Sequence, residues 1–257
     1  MMIAPDATMI AAANTRSVDS GEISRFSAMA EEWWDANGPM RPLHRLNPTR
    51  LAYIKAQLAG HFCREANAAE SLDGLRILDI GCGAGLVSEP LCRMGAIVTG
   101  IDPSSEIVAA ARLHAEDGGL SIDYRATTAE ALAAAGERFD AVTILEVVEH
   151  VNDVPAFVAT VASLVRPGGI VVASTINRTL KAFALAIVGA EYVLRWLPPG
   201  THSYDKLVTP RELANAFTDA GLDPGNETGV MYVPLADQWR LSRDMDVNYM
   251  MTATKPE

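Results

Sequence analysis

The chain has 257 residues, 49% hydrophobic and 21% charged, enough for one domain with a full core and an elaboration. Its net charge of −11 implies no basic surface and excludes nucleic acid as a partner class. Its three cysteines, Cys63, Cys82 and Cys92, form no C-x-x-C pair and no disulfide framework, so a reducing cytoplasm suits it, and no run reaches the roughly 18 apolar residues of a membrane span.

In chain order, residues 1–20 are apolar and rich in Ala and Met but carry Asp6 and no basic n-region, which predicts a loosely ordered tail rather than a signal peptide. The remainder, 21–257, reads as one domain. Ser24 to Leu58 contains the pair Trp33-Trp34 and a basic, Pro-punctuated stretch from Arg41 to Arg50, expected as an N-terminal helical cap. After residue 74 strand and helix patterns alternate, which predicts a mostly parallel sheet covered on both faces. Buried strands are expected at Arg76–Ile80, Ile97–Ile101, Ser121–Arg125, Ala141–Leu145 and Ile170–Thr175, with helices at Gly85–Met94, Ser104–Glu116, Ala129–Ala135 and Val154–Val165. An apolar insertion, 177–207, interrupts the alternation; its stretch from Ala182 to Leu197, flanked by Arg178, Lys181, Arg195 and Trp196, suits either a packed lid or a membrane interface. Pro210 opens a helix whose Thr209 and Glu212 have capping-box spacing, and weaker strands follow at Glu227–Val233 and Val247–Thr254.

The first strand ends at Asp79 and runs into Gly81-Cys82-Gly83-Ala84-Gly85; the second ends at Asp102. A backbone that admits a ligand, followed by an acid one strand later, is a nucleotide-type site. A dinucleotide fingerprint would place its third glycine where Leu86 stands, and Asp79 would repel a pyrophosphate. That acid suits an ammonium group, and Asp102 suits a ribose diol, so the turn points to S-adenosylmethionine. An NAD(P) oxidoreductase is disfavoured by the same spacing. Asp102 beside Pro103 also fits a helix cap, and Cys82 a small packing residue.

Leu145 to His150 follow the fourth strand and should line the ligand crevice, where Leu145 fits the donor or plain core. Glu146, Glu149 and His150 cluster there. Two carboxylates and an imidazole can hold a divalent metal such as Mg²⁺; His150 can instead act as a general base with Glu146 beside it, or the acids can simply cap a turn.

These motifs together resemble a class I S-adenosylmethionine-dependent methyltransferase with a Rossmann-like, seven-stranded sheet. More narrowly, Trp33-Trp34-Asp35, the stretch Pro42 to Pro48, Glu146 to Val151, Ser174 to Arg178, Gly189 to Tyr192, Gly200-Thr201-His202 and Asp246 to Met250 resemble the ubiquinone biosynthesis O-methyltransferases of bacteria and mitochondria. The resemblance implies methyl transfer to ring hydroxyls of 2-polyprenyl-6-hydroxyphenol and 3-demethylubiquinol, with S-adenosylhomocysteine as product. By position, Arg50, Gly81, Asp102 and Leu145 would contact the donor, and Glu146, Glu149 and His150 would hold Mg²⁺. The 177–207 insertion would contact lipid at the inner face of the plasma membrane, and assembly into a ubiquinone-biosynthesis complex would be compatible with this. Ala84 stands where many relatives carry glycine. The rival readings are the same chemistry on a water-soluble phenolic acceptor and a non-catalytic, lipid-bound scaffold.

Overall fold

The computed structural model describes residues 32–185 and 203–257. Eight strands form one sheet: β1 (Arg76–Ile80), β2 (Ile97–Asp102), β3 (Asp123–Ala126), β4 (Phe139–Leu145), β5 (Val165–Ile176), β6 (Asp223–Val233), β7 (Gln238–Ser242) and β8 (Asn248–Thr254), in the order β3-β2-β1-β4-β5-β8-β6-β7. The first five pair in parallel and the last three are antiparallel.

Helices α1 (Arg41–His61), α2 (Ser88–Arg93), α3 (Ser105–Asp117), α4 (Ala129–Ala134), α5 (Val154–Leu164) and α6 (Pro210–Asp219) connect and cover the strands. The apolar runs are continuous because both faces are buried. Leu78, Val142, Ile144, Val171, Tyr249 and Met251 face one core with Phe157 and Val161 of α5 and Phe217 of α6. Their neighbours Ile77, Ala141, Leu145, Val172 and Met250 face the other, with Tyr53, Ile54 and Leu58 of α1 and Leu91 of α2. This is the period-2 alternation of a strand, with apolar residues on both faces.

The expected parallel strands and their helices are present, with three differences. The sheet has eight strands rather than seven, because the five residues of β7 fold back on β6 after a turn at Pro234–Ala236. Strand β5 begins at Val165, and its register with β4 shifts across Pro167-Gly168-Gly169, where Gly168 takes φ +71°. Helix α2 starts at Ser88, so Gly85 to Val87 belong to the turn. At α6 the capping box forms as the spacing required: Thr209 accepts from the Glu212 N–H, and the Glu212 carboxylate accepts from the Thr209 N–H.

The cap segment is a 21-residue helix that runs through Pro48. That ring removes the bond to His44, and tertiary contacts hold the helix instead. Thr49 donates to the Trp239 carbonyl of β7 at 2.9 Å, Tyr53 donates to Asn226 and Arg45 pairs with Asp237. The tail and most of the insertion's apolar stretch, from residue 186 onward, lie outside the described residues. Among the described residues no helix is long and apolar enough to cross a membrane.

Candidate active site

The strand order reverses at β1, so a crevice opens at the carboxyl ends of β1 and β4, where ligands bind in open parallel sheets. The glycine turn leaves β1 there. Gly81 and Gly83 adopt φ +68° and +53°, a conformation that L side chains rarely take. A Cβ at Gly81 would also fall 2.5 Å from Val147 Cγ2. Beneath the turn Asp79, only 2% exposed, accepts from the hydroxyls of Ser88 and Thr143, each at 2.7 Å. Burial pushes its carboxyl up, opposed by those two hydrogen bonds and by the Arg50 charge.

Asp102 ends β2 facing the same turn. It accepts from the Gly83 N–H at 3.3 Å and the Ser104 N–H at 2.9 Å. The carboxylate therefore ties the donor-type turn to the start of α3, while Ser104, not Asp102, caps that helix through its hydroxyl. Burial, more than anything else, raises the Asp102 pKa to about 6.

Helix α1 closes the site from behind. Asn47 donates to the Leu86 carbonyl at 2.6 Å and accepts from Arg50 at 3.2 Å. Arg50 is 4% exposed and 4.0 Å from a Glu146 oxygen. Burial lowers its pKa, against the charges of Glu146, Asp79 and Glu149. Leu145, at the end of β4, is buried in the core shared with α1.

Glu146 sits just past β4 at φ +54°, uncommon for a residue with a side chain. Its N–H donates to the Ser174 carbonyl at 2.8 Å, and its carboxylate accepts the Ser174 hydroxyl. Val148–His150 form a 3₁₀ turn that brings Glu149 inside, 2% exposed, where it accepts from Thr175 at 2.8 Å. Its other oxygen, Oε1, has no hydrogen-bond partner among the described residues. Burial and the neighbouring Glu146 charge raise its pKa to about 8, against the pull of His150.

The Glu146–Glu149–His150 cluster expected to hold a metal is only partly assembled here. The donor chemistry suits a divalent ion, but among the described residues no three His, Cys, Asp or Glu side chains converge as a metal-holding group. Glu146 is turned to Ser174 and Arg50, and Glu149 to Thr175.

Sequence reasoning missed the groups that support these residues: Asn47, Ser88, Thr143, Ser174 and Thr175. It also left Trp33 and Trp34 without a role. Trp34 donates to the Ala84 carbonyl at 3.0 Å and stacks on His114, ring centroids 3.5 Å apart, and His114 meets the fully buried Glu89 at 2.6 Å. An aromatic pair in an otherwise polar segment was the one available signal.

A methyltransferase-domain family model matches residues 78–173. The chain is 58% identical over 244 residues to a ubiquinone biosynthesis O-methyltransferase of Chelativorans sp., covering 95% of this chain and 96% of that protein. It is 57% identical over 240 residues to the Brucella ovis protein of the same name, covering 93% and 97%. Among solved structures, the plantazolicin methyltransferase BpumL, in complex with S-adenosylhomocysteine, aligns with a TM-score of 0.64 at 15% identity over 92% of this chain and 97% of that one. The Synechocystis magnesium protoporphyrin IX methyltransferase, also with S-adenosylhomocysteine, aligns at 0.55 and 22% identity over 79% and 82%. At those identities the structures establish the fold alone.

Proposed function

The chain belongs to the ubiquinone biosynthesis O-methyltransferase family and is an S-adenosylmethionine-dependent methyltransferase, and we propose that it methylates ring hydroxyls of 2-polyprenyl-6-hydroxyphenol and 3-demethylubiquinol. The observation that carries the donor half of this reading is the Asp102–Gly83 contact, which sets a ribose-type acid against a glycine turn at the mouth of β1.

In this reading Asp102 accepts the ribose hydroxyls, and Gly81, Gly83 and Gly85 let the donor approach the backbone. Asp79 supplies negative charge toward the ammonium group. Arg50, a buried cation, suits the donor carboxylate, and Leu145 packs against the adenine or the methionine chain. Methyl transfer is an in-line displacement: the acceptor oxygen attacks the methyl carbon as the carbon–sulfur bond breaks, leaving S-adenosylhomocysteine. Alignment of oxygen, methyl and sulfur supplies much of the rate. A phenol titrates near pH 10 in water, so its proton needs an acceptor at neutral pH. His150 takes it, while the Glu146 carboxylate is held by the Ser174 hydroxyl. No step is routed through a metal, since the three side chains are not assembled around one.

The insertion is the route to a bilayer-soluble acceptor. Its described start exposes Leu180, Phe183 and Leu185, at 81%, 42% and 56%. Peripheral contact of this segment with the inner face of the plasma membrane, alone or within a ubiquinone-biosynthesis complex, would deliver the prenylated substrate.

The test is methyl transfer from labelled S-adenosylmethionine to a reduced, short-tailed demethyl-ubiquinol. His150→Ala should lower turnover about 100-fold with donor affinity unchanged, and wild-type turnover should survive EDTA. Wild-type rates from the variant would remove His150 as the base, and turnover lost in EDTA would restore the metal reading.

A further inference from the structure

Trp33 is 9% exposed, yet its indole Nε1 has no hydrogen-bond partner among the described residues. Its six-membered ring lies directly on Gly83. A Cβ added there would fall 2.5 Å from Cη2 and would collide with Cζ3. Gly83 is the residue whose N–H reaches Asp102, so the indole stands beside the acid assigned to the donor's ribose.

The ring is held in place rather than left to drift. His44 Nε2 bonds with the Trp33 carbonyl at 2.8 Å, and the next residue, Trp34, is tied to Ala84 and stacked on His114. Met40, Ala84, Leu86 and Ile107 pack in the same cluster. Packing alone would be satisfied by a phenylalanine. A buried indole N–H with no acceptor carries a desolvation cost that an apolar ring would avoid. The donor, bound along the glycine turn, brings the oxygens that lack here: ribose hydroxyls and a carboxylate.

We infer that Trp33 is a donor-binding residue: its ring walls the S-adenosylmethionine pocket over Gly83, and its Nε1 donates a hydrogen bond to an oxygen of the bound donor. The inference rests on the donor assignment of the glycine turn and Asp102. It makes Gly83 doubly constrained, by its positive φ and by an aromatic ring that leaves no room for a side chain.

The experiment is calorimetric binding of S-adenosylhomocysteine to the full-length wild type, Trp33→Phe and Trp33→Ala, with thermal unfolding of each donor-free protein and steady-state kinetics. Trp33→Phe should weaken product binding about tenfold and raise the donor KM similarly, with kcat within twofold. Its donor-free protein should be as stable as wild type or more so, because the unsatisfied N–H is gone. Trp33→Ala should bind more weakly still. Opposite signs for affinity and stability are the signature that a packing role cannot produce. A Trp33→Phe affinity within twofold of wild type would overturn the hydrogen bond, and tighter binding by Trp33→Ala would make the ring an obstruction instead of a wall. If Trp33→Ala does not fold, Trp33→Phe decides alone. A wild type that binds no S-adenosylhomocysteine would remove the donor assignment first and this inference with it.

Discussion

At the scale of single residues, the site holds charge where water is scarce. Asp102 shows the consequence most clearly, since burial lifts its pKa to about 6 while backbone N–H groups of Gly83 and Ser104 only partly compensate. A carboxyl whose folded pKa lies above its unfolded value binds protons more tightly when folded. Its contribution to stability is therefore most favourable in acid and is lost as pH rises from about 4 through 6. Asp102→Asn should accordingly stabilise the donor-free protein at pH 8 by about 1–2 kcal/mol, with the gain gone near pH 4. The same change should weaken donor binding at least tenfold, and wild-type donor affinity should fall below about pH 6. Paired melting and calorimetric curves from pH 4 to 8 check both halves; a flat affinity profile would count against the ribose role. Asp102 was legible because an acid at a strand end, one strand after a glycine turn, is a local pattern. Trp33 and Asn47 were not, because what matters about them is a contact 50 and 39 residues away in sequence, with Gly83 and Leu86.

At the scale of elements, the helices and strands with strong apolar periodicity emerged where the sequence placed them, and where local rules fell short, tertiary contacts decided. Strand β7 (Gln-Trp-Arg-Leu-Ser) has no buried face of its own pattern and exists because it pairs with β6 and supports α1. Helix α1 carries Pro48 in its interior, a breaker by local rules, yet it spans 21 residues because Leu46, Tyr53, Ile54 and Leu58 bury against the sheet. That helix matters to function because it delivers Asn47 and Arg50 to the back of the turn. Asn47→Ala leaves the Leu86 carbonyl and the Arg50 guanidinium without their buried partner. The expected result is a loss of about 1–3 kcal/mol in stability and a donor KM raised about tenfold, read by denaturant unfolding and steady-state kinetics. A stability loss with an unchanged KM would separate α1 from the donor site.

At the scale of the whole molecule, the question is how an acidic protein with no membrane-spanning helix among its described residues would meet the proposed bilayer-soluble acceptor. The stem of the insertion is fastened to the domain from both sides. Arg178 donates to the Leu207 carbonyl at 3.2 Å and pairs with Glu212, and Lys181 pairs with Asp244 and Asp246. Arg178 and Lys181, two of the flanking cations that suited a membrane interface in sequence, are thus engaged within the chain, and Leu180, Phe183 and Leu185 are the large apolar side chains of its described stem that face outward. Membrane contact at this point should be apolar in character. Replacing all three with Asp should reduce vesicle binding at least fivefold while turnover on a tail-less catechol stays at the wild-type level; unchanged vesicle sedimentation would contradict the proposed membrane contact of this segment. The sequence marked this segment as apolar but could not say which side chains the domain would keep for itself, since ion pairs over 34 to 65 residues leave no local trace. The most direct test of the account is the ratio of kcat/KM for a short-prenyl demethyl-ubiquinol to that for the same ring without its tail, measured under reducing conditions with vesicles present. A preference of tenfold or more for the prenylated ring is the expected result, and equal rates on both, or turnover on the tail-less ring alone, would contradict it.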